Sequence, residues 1–122
     1  MASYLLGVNG ESIAEEYYMN QGYEILAKNF RSHQGEIDIV VRRDSLLVFV
    51  EVKNYSYKNL RHPAAAISKN KKENLIRTAR YYLYINKIKE TNCRFDVLTI
   101  IRRTGEEPVI EQYENAFEVT GC

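Results

Sequence analysis

The sequence predicts an α/β protein, a mixed central β-sheet of about five strands flanked by two helices in the order α-β-β-β-α-β-β. Three observations carry this. Residues 35–53, GEIDIVVRRDSLLVFVEVK, hold two runs of alternating β-branched residues around one short break. Apolar residues recur at helical spacing near the N-terminus and again over 64–88. Short apolar runs bounded by turn residues fill 23–31, 94–102 and 109–114. At 122 residues the chain is expected to form one domain, 1–122.

Residues 5–21 read as the first helix, with Leu6, Ile13, Ala14 and Tyr17 on one stripe. Ser3 or Asn9 could cap it, and Gly22 is a stop signal. Glu11 lies three residues before Ala14, on its side of the helix, and is either one surface glutamate among several or an inward-pointing one. Glu15 and Glu16 are better placed for solvent. A strand follows at 23–31, then a turn at 32–35 that carries His33, either simply exposed or close enough to approach a phosphate.

Residues 35–53 form a hairpin. With the turn centred between Asp44 and Ser45, Asp38 faces Glu51 and Glu36 faces Lys53. Those four side chains crowd one end of one face, while Ile37, Ile39, Val41, Val48, Val50 and Val52 fill the other. Opposed carboxylates repel unless a cation lies between them, and Mg²⁺ takes such oxygens while keeping several waters. Lys53 returns to the same face two residues after Glu51. The alternative is a solvated outer face with a Glu36–Lys53 ion pair, against which stand Val40 and Phe49 on that face.

Residues 54–63 make a polar loop leaving directly from Lys53. Its Tyr55, Tyr57, Lys58 and Arg61 suit either backbone contact with base stacking or an ordinary surface loop. The second helix occupies 64–88, with Ser68 capping its main part and a stripe of Ile67, Leu75, Ala79, Tyr82 and Leu83. Lys71 falls on that stripe, so it either snorkels outward or reaches the carboxylates or a bound phosphate. Tyr81 and Tyr84 lie off the stripe and read as surface cover. Strands at 94–102 and 109–114, joined by a turn at 104–108, complete the chain, and Asp96 is a further acid within a strand.

Composition is that of an ordinary globular protein, 45% hydrophobic and 27% charged. No apolar run has the length of a membrane span, and the N-terminus lacks the pattern of a signal peptide, so a cytoplasmic protein without membrane contact is expected. Cys93 and Cys122 fit no zinc-binding spacing and are expected as reduced thiols. Net charge is +1, but residues 53–89 hold ten basic residues against the single acid Glu73. That segregation favours an anionic partner such as a phosphate backbone over a merely solvated helix face.

The spacing of Asp38, Glu51 and Lys53, a D-(12 residues)-E-V-K pattern, resembles the PD-(D/E)xK nucleases of the restriction-endonuclease-like superfamily. Within it the chain is most similar to the YraN-like uncharacterised protein family, whose fold is akin to Holliday junction resolvases. The likeness runs through Gly10-Glu11, Ala14, Gly22-Tyr23, Asn29, GEID at 35–38, FVEVK at 49–53, Pro63, Lys71, Ala79-Arg80, RFDV at 94–97 and Asn115-Ala116-Phe117. It implies a restriction-endonuclease-like core in a single endonuclease-like domain, and a catalytic set of Glu11, Asp38, Glu51, Lys53 and Lys71. Asp38 and Glu51, the Val52 carbonyl and Glu11 would face an Mg²⁺ or Mn²⁺ ion. Lys53 would orient the attacking water and Lys71 would support the site. Two positions depart from the family pattern. Asn54 stands where arginine often follows the EVK triplet, and Lys72 where glutamine is usual, which bears on substrate preference.

The expected function is a metal-dependent DNA endonuclease. Tyr55, Lys58, Arg61, Lys69, Lys72 and Arg80 would hold the backbone without sequence readout. The expected partner is branched or otherwise structured DNA, with a homodimer by analogy to junction cutters. A nucleic-acid-binding module that keeps the fold without cutting is the alternative, and an interaction domain with no nucleic acid partner is a third. The complete carboxylate–lysine set weighs against the second, and the basic segment against the third.

Overall fold

A computed structural model describes residues 10–56 and 67–115. Among the described residues seven elements follow in the expected order: α1 (Gly10–Asn20), β1 (Glu24–Arg31), β2 (Glu36–Arg43), β3 (Leu46–Ser56), α2 (Lys69–Ile85), β4 (Asn92–Arg102) and β5 (Val109–Tyr113). The five strands form one sheet in the order β1-β2-β3-β4-β5. β3 and β4 are parallel, joined through α2, and every other neighbouring pair is antiparallel, so the sheet is mixed. No described helix is long and apolar enough to cross a membrane.

The central hairpin has the register expected from its alternation. Asp44 and Ser45 form a two-residue turn, with Asp44 at a φ of 55°, a left-handed conformation that Asp tolerates better than most residues. The ladder then runs from Arg43↔Leu46 to Ile39↔Val50. Gly22 ends α1 at a φ of +88°, where its amide reaches the Met19 carbonyl and the Tyr23 amide reaches Tyr18. Ser68 caps α2 by accepting from the Lys71 amide at 3.1 Å.

Among the described residues each face of the sheet carries one helix and one apolar cluster. On the α1 side Ala14, Tyr18 and Tyr23 pack with Ile39, Val41, Val48, Val50 and Leu98. On the α2 side Ile67, Leu75, Ala79, Tyr82 and Leu83 pack with Val40, Phe49, Phe95 and Val97. Tyr18, fully buried, takes the place in the core expected for Tyr17, which is half-buried and donates to Gln112 at 2.9 Å. Glu15 is half-buried rather than solvated and pairs with Lys28 at 3.6 Å.

Ile37 departs from the expected face. It packs on the α2 side with Val40, not with Ile39 and Val41. The cause lies in β1, which has a register shift between Ile25 and Ala27 and a left-handed Asn29 at φ 52°. Phe30 then packs against the α2-side cluster, and Ile37, its partner across the β1–β2 ladder, goes with it. Alternation in β2 is therefore broken at Asp38, at the end of its pairing with β3. Cys93 is disulfide-bonded, which corrects the expectation of a reduced thiol, and Cys122 lies outside the described residues.

Candidate metal and phosphate site

The site forms where β2 and β3 stop pairing. Beyond Ile39↔Val50 the next residues on the two strands are Asp38 and Glu51, and no backbone pair joins them in that ladder. Instead the Val52 amide donates to Asp38 Oδ2 at 2.7 Å. The side chain thus takes the place of a ladder carbonyl, and the strands splay around it. The expected Glu36–Lys53 juxtaposition does not form, because β2 at this end pairs with β1 and Glu36 meets Arg31 at 3.6 Å.

Glu51 is 8% exposed, on the α2 face of β3. A carboxylate at that depth needs counter-charge. Lys71 supplies it, with Nζ 3.2 Å from Glu51 Oε2, and Lys53 lies 3.9 Å from the same oxygen. Lys71 stands at the exposed end of the apolar stripe of α2, which brings its ammonium to the strand while about half of the side chain stays in solvent. Among the described residues Asp38 forms no ion pair with a lysine or arginine. Its carboxyl is pushed up to about 7, chiefly by burial and by a hydrogen bond shared with Glu51. The Val52 amide pulls the other way, and the negative charges of Glu51 and Glu11 add to the rise. Glu11 is held in range by its neighbour. Gly10 abuts the Asn54 side chain so closely that any Cβ there would collide with it.

These residues fit a hard divalent cation held by few protein ligands. Two neighbouring carboxyls are hard oxygen donors of the kind such an ion takes, and a cation between them would relieve their repulsion. Among the described residues no three His, Cys, Asp or Glu side chains gather closely enough to hold an ion by themselves. Asp38 and Glu51 would therefore hold it with water completing the shell, as Mg²⁺ prefers. Glu11 lies near enough for its negative charge to raise the Asp38 carboxyl.

The basic residues divide into two groups. Lys53 and Lys71 converge on Glu51, as described above. Lys69 and Arg80 lie within about 20° of each other on α2 and about 160° or more from Lys71, on the face turned away from the sheet. Lys72 is half-buried on one flank of that helix. Tyr55 is half-buried near the end of β3, while Lys58 and Arg61 lie outside the described residues.

One polar centre escaped the sequence reading. Asp96 is 1% exposed on the α1 face of β4 and is gripped by Arg94 through Nε at 2.8 Å and through its second nitrogen at 2.9 Å. Tyr18 donates to it at 2.9 Å, Gln112 at 3.1 Å and the Asn115 amide at 3.1 Å. Burial beside this carboxylate pushes the Tyr18 hydroxyl far above its ordinary range. Every strand-facing demand of Asp96 is met, so it ties α1, β4 and β5 together rather than awaiting a ligand. The signal was present in Arg94 and Asp96, two residues apart in a strand and so on one face.

A model of the uncharacterised protein family UPF0102 matches residues 10–100. A UPF0102 protein from Lachnoclostridium phytofermentans is 43% identical over 116 residues, which is 94% of each chain. Another from Trichlorobacter lovleyi is 37% identical over 93% of this chain and 91% of its own. A third, from Persephonella marina, is 37% identical over 98% of both. With the family model covering most of the chain and relatives matching along nearly its full length, the protein belongs to the uncharacterised protein family UPF0102.

Proposed function

We propose that the protein is an Mg²⁺- or Mn²⁺-dependent nuclease acting on DNA phosphodiesters. One observation carries the reading. Asp38 and Glu51 meet where two strands splay, and two lysines converge on Glu51. A purely structural pair would have its charges neutralised in place, whereas Asp38, among the described residues, forms no ion pair with a lysine or arginine, and burial beside Glu51 pushes its carboxyl up. The resemblance to PD-(D/E)xK nucleases and the order of elements around the hairpin support the same reading.

A bound divalent ion would act as a Lewis acid on the scissile phosphate and acidify a coordinated water. The chain's own residues do the rest. Asp38 and Glu51 would present carboxylate oxygens to the ion, any proton on Asp38 passing to solvent. Lys53, released from Glu51, donates toward the attacking water or a phosphate oxygen. Lys71 keeps Glu51 oriented from α2 and adds positive charge beside the phosphate. Lys69, Lys72 and Arg80 would track the DNA backbone, which carries no base readout and suits recognition of structure more than of sequence. The substrate proposed is therefore branched or otherwise structured DNA.

The test is cleavage of labelled branched, single-stranded and duplex DNA with Mg²⁺ and with Mn²⁺, run beside Asp38→Ala. Cutting by the wild type that vanishes in the variant supports the reading. Equal cutting by both sinks the site assignment. Salt-sensitive binding without cutting on any substrate would replace the nuclease with a non-catalytic nucleic-acid-binding module.

A further inference from the structure

A second concavity lies on the same side of the sheet as Lys71. It is a cavity of about 590 Å³ lined by Arg31, Ser32, His33, Gln34 and Tyr81. Its size is that of a small-molecule site. One wall is the β1–β2 turn and the other is α2. The turn is fixed rather than loose. Ser32 accepts from the Gln34 amide at 3.1 Å, its own amide reaches the Gly35 carbonyl at 2.8 Å, and its hydroxyl meets that of Thr78 at 3.0 Å. Thr78 donates in turn to the Asn74 carbonyl at 2.8 Å. Gly35 comes so close to α2 that a Cβ there would meet the Thr78 hydroxyl at 3.4 Å.

The chemistry of the lining is specific. Tyr81 is 46% exposed and rests beside Phe30, with ring centroids 6.0 Å apart, so part of its ring stays available for stacking. Arg31 spends one edge of its guanidinium on Glu36 and retains further N–H donors. His33 and Gln34 are exposed at the rim and add hydrogen-bonding groups. An aromatic face beside a guanidinium and mixed polar donors fits a flat base attached to a phosphate. Duplex DNA keeps its bases stacked and offers none.

We propose that this cavity takes one unstacked nucleotide of the DNA strand held at Asp38 and Glu51. The inference rests on the nuclease reading and names its substrate class, a strand with unpaired nucleotides next to the cleavage position. Spacing supports it. Lys71 and Tyr81 are ten residues apart on α2, about 15 Å along the axis, within reach of one extended strand. The wall between them is the docked turn.

The test is fluorescence-anisotropy binding in EDTA, where cutting is blocked, with a single-stranded and a duplex oligonucleotide of equal length. Wild type is compared with Tyr81→Leu, Tyr81→Phe and His33→Ala. Tyr81→Leu should weaken single-strand binding about tenfold and leave duplex binding within about twofold. Tyr81→Phe should behave as wild type. His33→Ala, at an exposed position, should weaken single-strand binding about threefold and guards against misfolding of the leucine variant. Affinity for both oligonucleotides falling together, or for neither, overturns the nucleotide pocket while cleavage by the wild type leaves the nuclease standing. A wild type that neither binds nor cuts DNA overturns both.

Discussion

Asp38 accepts a 2.7 Å hydrogen bond from the Val52 amide across the point where β2 and β3 part. That bond holds a carboxyl against Glu51 in a half-buried place. The folded carboxyl titrates near 7, against 3.8 unfolded. Between about pH 4 and about pH 7 the folded protein therefore binds more protons than the unfolded chain, and stability falls as pH rises across that window, levelling above it. Urea unfolding of the metal-free protein should give a lower midpoint at pH 8 than at pH 5. Asp38→Asn can keep a carbonyl for Val52 and donate to Glu51, so the pH-dependent difference should shrink. Mg²⁺ should raise the wild-type midpoint at pH 8 and leave the variant almost unmoved. Parallel pH profiles in the two proteins would show that Asp38 does not carry the effect.

Lys71 and a divalent ion compete for Glu51, because Nζ already sits 3.2 Å from Oε2. Lys71→Met should destabilise the ion-free protein by about 1–2 kcal/mol, less than for a fully buried pair because the lysine side chain is 49% exposed. The same change should tighten Mn²⁺ binding severalfold by removing a positive charge, while lowering cleavage. Calorimetric titration with Mn²⁺ checks it. Unchanged or weaker affinity would mean that the lysine does not oppose the ion.

Much of this arrangement could be read from local pattern. The hairpin register agrees with a turn centred between Asp44 and Ser45 in the break at 43–46 of an alternating run, and Lys71 stands out as the charge on an apolar stripe. Ile37 lies on the face opposite to the one its alternation predicts, because the twist at Asn29 belongs to another strand and reaches Ile37 only through pairing with Phe30. The Asp96 centre depends on Tyr18, 78 positions away, and on the register of β5, which no local pattern encodes. Contacts set by the pattern of one hairpin or one helix were thus legible, and those assembled across the sheet were not.

Arg94 and Asp96 form a buried pair remote from the proposed chemistry, on the opposite face from Lys71. Removing one partner leaves the other buried and uncompensated. Arg94→Met should cost about 3–5 kcal/mol in urea unfolding. Asp96→Asn should cost less, because the amide oxygen can still accept from Tyr18. Mn²⁺ affinity of any folded Asp96→Asn protein should match the wild type. A loss of metal binding there would place Asp96 in the site after all.

Thr99 is fully buried, between Lys53 on β3 and Glu111 on β5, and its hydroxyl is the one buried side-chain polar atom among the described residues without a hydrogen-bond partner. Leaving such a group unpaired costs about 1–3 kcal/mol, the desolvation it suffers with nothing in return. Valine has nearly the same shape, replaces the hydroxyl by a methyl and suits a strand at least as well. Thr99→Val should therefore stabilise the fold by about 1 kcal/mol, a rise of about 4 °C in Tm. Thr99→Ser keeps the orphan and loses a methyl, so it should be less stable than wild type. Calorimetric melting of the three proteins decides. A Thr99→Val protein no more stable than wild type would mean that the hydroxyl finds a partner in solution, and the neighbouring Lys53 is the group to examine by the double variant, since coupling between the two positions would then be nonzero.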